Sequence, residues 1–414
     1  MTNSSVSVSG VLNGILVLLF AFTLFENPLE CAFPFLGYFD ELLCLLATGL
    51  LVLNARKVRV VLGDKASVIA VLVVSVVLIG LLGNVVSGYQ TNGVAIAKEL
   101  LAVSKFPIVA VASLYLMRIV RVDDAYRACA LVSKAFILIC VLFAVVNLVA
   151  PSAGFGHDVR SGLLSFKFIY SHPTFLVFSL VMSLVVLEGE KSGATFIKLL
   201  CLVLLILTMR DKAFGFVGLC LTAWMLKIEG RQQIIPYVLL VGAVVLIVGW
   251  PKIAEYLSFS NSPRQALYST AVAISIAFFP LGGGFASIAS SLSGEYYSGA
   301  YYQYGLDGMP GLSPEAFYDM GDAGFAYYLG QLGFVGFVLF VSLLLMLYIL
   351  FAEGIAVGDS RRSALFILFG YILIALSVEN VLTNATGVMT AYLLALVCAG
   401  SSSGSRSGAS GFSK

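Results

Sequence analysis

The chain has 414 residues, of which 60% are hydrophobic and only 11% are charged, and its mean hydropathy is +1.01. Soluble globular chains contain roughly 45–50% apolar and about 25% charged residues, so this composition excludes a cytosolic enzyme, a secreted disulfide scaffold and a disordered tail protein. The 24 Lys and Arg nearly balance the 22 Asp and Glu, which leaves no basic field that could recruit nucleic acid.

The class that remains is an all-α polytopic integral membrane protein, whose apolar runs mark the membrane spans. A hydrocarbon core about 30 Å thick needs roughly 20 apolar residues per helix. Twelve spans are predicted, near residues 10–25, 36–53, 66–83, 100–117, 132–150, 173–187, 194–208, 213–227, 234–250, 324–352, 363–378 and 386–399. We expect a large outer loop at 251–323 between helices 1–9 (1–250) and helices 10–12 (324–399), with a disordered cytoplasmic tail at 400–414.

The distribution of lysine and arginine predicts the orientation, because these residues lie mainly on the cytoplasmic side of a membrane. With the N-terminus in the cytoplasm, 16 of the 24 basic residues fall on that side, and twelve spans return the C-terminus there. The exceptions close to outer span ends are Arg160, Arg210, Lys212 and Arg264. Guanidinium groups grip phosphate oxygens bidentately, so we expect a shared site for a diphosphate, with interfacial anchoring of each residue as the alternative.

Few charges lie near the middle of the predicted spans. Lys98, Glu99 and Lys105 flank the span at 100–117 near its outer end, and mid-span positions are almost free of charge. Transporters place ionisable groups near the bilayer midplane, so this distribution favours an enzyme that works at the outer face.

The long loop at 251–323 has a length that usually accompanies function. Its acidic residues and tyrosines, with Tyr301, Tyr304 and Tyr318 among them, favour a carbohydrate ligand, because aromatic faces stack on sugars and carboxylates bind hydroxyls. An interfacial aromatic belt contains the same residues and is the alternative. Residues 265–280 are apolar but short, and we expect them not to span the membrane.

Short polar motifs stand at the outer span ends. Arg160 and His172 precede Pro173, a residue that favours the first turn of a helix. His172 is a candidate general base or phosphate ligand, because histidine titrates near neutral pH, or else a helix-start residue. Asp322 precedes the long apolar run that contains Gln331, where it is either a helix cap or a group facing the arginines.

The glycines at 282–284 are a further candidate, since their amides could meet an anion, although a plain loop explains them as well. The seven cysteines show no CxxC or Cys/His spacing, and there are only two histidines. We therefore predict neither a metal site nor a disulfide framework.

Three of these patterns together resemble the Wzy-type O-antigen and capsular polysaccharide polymerases of the O-antigen polymerase and ligase superfamily. The first is Asp322 and an aromatic-rich helix with GQLGFVG, which follow a long outer loop containing an arginine and a glycine cluster. The second is Arg160 with the Ser-Gly and His-Pro pairs downstream, and the third is the short turn Met-Arg-Asp-Lys-Ala at 209–213. The resemblance implies a GT-C-like fold in the bacterial inner membrane.

Such enzymes transfer a glycan chain from undecaprenyl diphosphate to a hydroxyl of a new undecaprenyl-diphosphate-linked repeat, so this lipid-linked oligosaccharide is both donor and acceptor. The resemblance implies that Arg160, Arg210 and Arg264, assisted by Lys212, neutralise the leaving diphosphate. It implies that Asp322 or His172 is the base, with the three tyrosines and Gln331 as substrate-binding residues. No metal or cofactor is expected, and a chain-length-regulating membrane protein is an expected partner.

Two alternatives to a polymerase stay open. An O-antigen ligase transfers the finished chain to lipid A core, but ligases carry a histidine in the large outer loop, and residues 251–323 contain none. A flippase for the same lipid-linked sugars is the alternative from the transporter class.

Overall fold

A computed structural model describes residues 3–120, 122–160, 162–190, 194–225, 262–318 and 320–399. The predicted ninth span at 234–250, the first part of the long loop and the predicted tail at 400–414 lie outside the described residues. The other predicted spans each coincide wholly or largely with a helix.

Helices dominate the described chain, as the composition predicts. The first six are α1 (Asn3–Ala32), α2 (Phe39–Leu53), α3 (Ala55–Leu62), α4 (Asp64–Ser87), α5 (Gly93–Ile119) and α6 (Asp123–Val149). An antiparallel hairpin follows, formed by β1 (Gly156–Arg160) and β2 (Leu163–Phe166). The remaining helices are α7 (Pro173–Gly189), α8 (Thr195–Leu207), α9 (Asp211–Met225), α10 (Pro263–Ala277), α11 (Ser291–Glu295), α12 (Gly299–Gln303), α13 (Gly324–Ala352), α14 (Ser360–Leu376) and α15 (Ala385–Ala399).

Six stretches within the described residues are long and apolar enough to cross a membrane. They are 10–32, 34–53, 64–87, 93–119, 123–149 and 324–352. Helix α4 shows how they meet their surroundings: Val71, Val74, Leu78 and Val85 form an exposed apolar stripe at helical spacing. Apolar side chains that face outward suit lipid, so the prediction of an all-α membrane-embedded protein is confirmed.

Contacts between connecting segments show which helix ends lie together. The amide of Gly299 in the long loop donates to the Tyr89 carbonyl after α4, at 3.0 Å. The amide of Asn380, between α14 and α15, donates to the Gly321 carbonyl just before α13, also at 3.0 Å. These segments are the ones that the charge bias assigns to the outer side, and we call this region the polar end of the bundle.

Helix α13 is interrupted at Gly333, where φ is 69° and ψ is −172°. In a regular helix the carbonyls of Gly330 and Gln331 would accept from amides four residues later. Here they accept from the amides of Gly283 and Gly284, at 2.8 and 2.9 Å. The interruption therefore leaves two carbonyl groups free to accept from the long loop, and the loop amides replace the hydrogen bonds that the helix lacks here.

The same loop segment is bonded to α4. The Asn84 side chain donates to the Phe285 carbonyl at 2.9 Å and accepts from the Phe285 amide at 2.8 Å. A Cβ on Gly282 would lie 2.4 Å from the Gly333 nitrogen, so close backbone packing requires glycine. The expectation that these amides meet an anion is wrong for Gly283 and Gly284, because both amides donate to carbonyl groups of α13.

Helix α5 corrects the predicted charge distribution. It begins at Gly93, where the Asn92 side chain caps it, seven residues before the predicted span. Glu99 and Lys105 therefore lie inside the helix, and both are buried. Lys105 reaches Asp40 of α2 at 2.7 Å. The expectation of nearly charge-free helix interiors is wrong at these positions, because the early cap moves the charges inward.

Replacing Gly333 by alanine should lower the free energy of unfolding by about 3 kcal/mol, because the new Cβ meets backbone and the positive φ disfavours an L-residue. The added Cβ would lie 2.2 Å from the Leu281 carbonyl carbon. Thermal or denaturant unfolding in detergent measures the change. Gly49→Ala in α2 is the control, since nothing lies within 4 Å of its Cβ position. Equal stability of the two variants would contradict this account.

Candidate functional site

Two of the predicted arginines share one carboxylate at the polar end. Asp158 and Arg160 lie on the same strand, β1, and the Arg160 Nε donates to Asp158 Oδ2 at 2.6 Å. Arg210 donates from Nη2 to the other oxygen, Oδ1, at 3.0 Å. Ser165 of β2 also donates to Oδ1, at 2.5 Å. Asp158 therefore holds both guanidinium groups in fixed positions.

The turn between α8 and α9 presents Arg210. The turn is tight, because α8 ends at Leu207 and α9 begins at Asp211. Met209 has a φ of 52°, a conformation that non-glycine residues adopt rarely and at an energetic cost. Strained residues of this kind cluster at functional sites, and this one directs the next side chain toward the hairpin.

Asp158 remains ionised at neutral pH. Partial burial acts to raise its pKa, but hydrogen bonds from Ser165, Arg160 and His157 outweigh burial and hold the pKa well below its usual range. One negative charge thus stands against two guanidinium charges. The cluster keeps a net positive charge with which it can attract an anion.

Arg210 is the more buried of the two arginines. Its relative exposure is 8%, and its Nε is buried without a hydrogen-bond partner in the described part of the chain. Buried donors are rarely left unpaired in folded proteins, and an exception needs an explanation such as a bound water, ion or ligand.

His172 lies close to this cluster, as the sequence suggested. Its ring stands edge-on to His157, with ring centroids 4.8 Å apart. Burial and the nearby charge of Arg210 lower the pKa of His172 to about 4. Its Nδ1 accepts from the Thr174 amide at 3.3 Å, which caps α7 and leaves the proton on Nε2. The arrangement favours a neutral hydrogen-bond donor over a base.

The third predicted cation, Lys212, pairs with a carboxylate that the sequence analysis did not select. Its Nζ lies 2.6 Å from Glu379 Oε1, and the Lys212 side chain is 5% exposed while that of Glu379 is 27% exposed. Lys212 stands in the first turn of α9, and Glu379 follows α14. An acidic residue at the end of an apolar run is a weak signal, because most such residues are solvated.

Arg264, the fourth predicted cation, forms the third charged group with Asp322. Arg264 Nε donates to the Asp322 carbonyl at 2.7 Å, and Nη2 donates to its Oδ2 at 3.2 Å. The start of α10 is thus tied to the start of α13. Since Asn380 is bonded to Gly321, the Lys212–Glu379 pair lies beside this group. The structure therefore brings the predicted basic residues to one end, each with a carboxylate.

The predicted substrate-binding residues fall into two sets. Tyr301 and Gln331 are fully buried, and both hold the long loop. The Tyr301 hydroxyl accepts from the Ala289 amide at 3.0 Å, and Gln331 donates to the Ile288 carbonyl at 2.8 Å. The Tyr304 hydroxyl accepts from that of Tyr89 at 3.4 Å.

Tyr318 differs from the other three residues because it is 74% exposed. Of these four residues, Tyr318 is the most accessible to a sugar. Tyr301 and Gln331 make internal hydrogen bonds, as structural residues do.

Glu99 is a polar residue whose environment sequence reasoning missed. It is 2% exposed, and its two oxygens accept from the Ser290 hydroxyl at 2.5 Å and the Tyr327 hydroxyl at 2.6 Å. It therefore ties α5 to the long loop and to α13. A carboxylate in an apolar run is a signal for a polar partner, but the sequence does not say which partner.

Comparison with protein families, with curated proteins and with solved structures found no match to this chain. Within the described ranges no group of three or more His, Cys, Asp or Glu is arranged to hold a metal ion. What the site offers chemically is a set of fixed guanidinium and ammonium groups, a neutral imidazole donor and three carboxylates. Such a set can bind an anion and can accept a proton.

Acidification should destabilise the protein through His172. Its pKa of about 4 in the folded state lies below the 6.5 of a free histidine, so the unfolded chain binds the proton more readily. The contribution to stability is present above pH 6.5 and is lost as the pH falls from 6.5 toward 4. His172→Asn keeps a cap acceptor and removes the titration. Melting temperatures from pH 7.5 to 5 should fall less in the variant, and parallel curves would refute this linkage.

Proposed function

We propose that this protein is a Wzy-type glycosyltransferase that polymerises undecaprenyl-diphosphate-linked oligosaccharide repeats into O-antigen or capsular polysaccharide. In this proposal it has a GT-C-like arrangement of twelve spans in the bacterial inner membrane, with both termini in the cytoplasm and the polar end at the periplasmic face. One observation supports it above the others: Asp158 holds two arginines together, and the buried Arg210 has an Nε that no described residue pairs with.

The reaction requires charge neutralisation more than any other assistance. A sugar hydroxyl attacks the anomeric carbon of the donor, and the lipid diphosphate leaves with an additional negative charge. Preorganised donors aimed at developing charge are commonly the largest catalytic contribution of an enzyme. Arg160 and Arg210 supply such donors. The His172 ring supplies a further hydrogen-bond donor while it is neutral.

The remaining charged pairs suit the acceptor side of the same reaction. Arg264–Asp322 and Lys212–Glu379 lie beside each other and carry no net charge, as suits a neutral sugar hydroxyl. Donor and acceptor are both lipid-linked, so the site has to be open to the bilayer. A chain-length regulator would act as a partner from outside the site.

A flippase is the second candidate, and a specific observation favours it. Asp40, Glu99 and Lys105 are buried within helices long and apolar enough to span. Intramembrane ionisable residues often mark transport pathways. The polymerase remains the first proposal because the arginines and their carboxylates gather at one end of the bundle, where a transporter would not need them.

Deletion of the gene in its native host separates these functions. A polymerase deletion leaves a single repeat attached to lipid A core and abolishes the ladder of longer chains on a polysaccharide gel. A ligase deletion leaves polymer on undecaprenyl diphosphate, and a flippase deletion traps repeats on the cytoplasmic side. An unchanged pattern would refute the family assignment.

In the complemented deletion strain, Arg210→Ala should reduce polymer formation at least about 100-fold, because one preorganised donor to the leaving group is lost. Arg210→Lys should recover little, since an ammonium cannot replace the planar fork. Arg127→Ala is the matched control: Arg127 also pairs with an aspartate, but both side chains are more than 70% exposed. Membrane levels of each variant are measured by immunoblot. Full-length polymer from Arg210→Ala would exclude the proposed diphosphate site.

A further inference from the structure

Residues close to Lys212 and Glu379 along the chain carry buried polar atoms that have no hydrogen bond within the described residues. Within the described residues, eleven buried side-chain nitrogen or oxygen atoms lack a hydrogen bond. Three of them are Arg210 Nε, Tyr371 Oη and Asn380 Oδ1. Arg210 is two residues before Lys212, and Asn380 directly follows Glu379. Unpaired buried groups that collect at one place indicate a ligand or water that belongs there.

Tyr371 reaches the same place from α14. Its ring packs edge-on against Phe216 of α9, with ring centroids 5.6 Å apart. Phe216 lies four residues after Lys212, on the same face of α9. Tyr371 of α14 therefore packs against α9 one turn beyond Lys212, while Glu379 and Asn380 stand in the segment that follows α14; we call these four residues the polar position.

The other candidate proton acceptors are already engaged. The Nδ1 lone pair of His172 accepts from the Thr174 amide, and Asp322 is bound through both its carbonyl and its carboxylate to Arg264. Glu379 differs from both, because within the described chain its side chain has Lys212 as its one hydrogen-bond partner, through Oε1. Its side chain is 27% exposed, and its second oxygen, Oε2, has no hydrogen-bond partner in the described part of the chain.

We propose that Glu379 accepts the proton of the attacking sugar hydroxyl, and that Tyr371 and Asn380 are positioning residues for that sugar. The inference rests on the proposed glycosyltransferase function. As the bond from the acceptor oxygen to the anomeric carbon forms, the bond from that carbon to the phosphate oxygen breaks. The hydroxyl proton passes to Glu379 Oε2, and the electron pair leaves with the lipid diphosphate. Glu379 then releases the proton to solvent.

Tyr371 Oη and Asn380 Oδ1 have almost no accessible surface and no hydrogen-bond partner in the described part of the chain, so a substrate or its water reaches them only if the surrounding side chains move. This makes Tyr371 a sharp probe. A buried hydroxyl without a partner stabilises nothing, so Tyr371→Phe should leave the melting temperature equal or higher. If the hydroxyl orients the acceptor, turnover should nevertheless fall about tenfold. Unchanged turnover would show that Tyr371 plays no part.

The test uses the full-length protein in liposomes with a synthetic polyprenyl-diphosphate-linked repeat, and it measures kcat and donor binding separately. Glu379→Gln should lower kcat at least about 100-fold, the usual contribution of a general base, while donor affinity stays within about threefold. Glu379→Asp should recover part of the rate. Glu353→Gln is the control, because Glu353 also pairs with a lysine but lies at the opposite end and is 45% exposed.

The outcomes separate the two proposals. If the wild type polymerises and both Glu379→Gln and Tyr371→Phe keep its rate, the role of Glu379 is wrong and the proposed function stands. If the wild-type protein is folded and makes no polymer, the proposed function fails and this inference fails with it. If Glu379→Gln does not fold, the Tyr371→Phe result decides the role of the polar position.

Discussion

Polar backbone groups at membrane depth have to be paired within the protein, and this constraint shapes the polar end. The interruption of α13 at Gly333 releases the carbonyls of Gly330 and Gln331, and the loop amides of Gly283 and Gly284 take them up. The loop is thereby fixed against α13 at a buried position, where water does not supply these hydrogen bonds. Further along the same loop, the Ser290 hydroxyl donates to the buried Glu99. The hydrogen bonds between the loop and α13 therefore also help to position this polar pair.

The charges at this end are arranged so that an anion adds to the site without breaking it. Among the buried and half-buried pairs, Arg160, Arg210, Lys212 and Arg264 stand against Asp158, Glu379 and Asp322, which leaves one positive charge; Asp211, between Arg210 and Lys212, adds a solvent-exposed negative charge. The excess lies where Asp158 serves two guanidinium groups. A carboxylate for each arginine would have left no attraction for a diphosphate, and no carboxylate at all would have left a buried cation uncompensated. Sharing one carboxylate avoids both costs.

Sequence reasoning predicted the helices well and the polar partners poorly. Hydropathy predicted the helices, and the bias of basic residues predicted which connections lie at the polar end. Both signals are averaged over many residues, so no single contact has to be known. Glu379 and Glu99 were missed because each is a single acidic residue whose meaning depends on a partner 167 or 191 positions away. The glycines at 282–284 were read as a flexible turn, but their role in close packing is visible only beside Gly333.

The neighbouring charged groups differ in net charge, and in the proposed function this difference would let one site distinguish two lipid-linked substrates. In the proposed reaction, the Asp158 cluster, with its excess positive charge, would attract the diphosphate that leaves. The Lys212–Glu379 and Arg264–Asp322 pairs are neutral, and they would repel neither a sugar nor its hydroxyl. If both substrates are lipid diphosphates, this charge difference would select which end of each lipid approaches which group. The tight turn with Met209 connects the two charged groups, because Arg210 and Lys212 lie on either side of the first residue of α9.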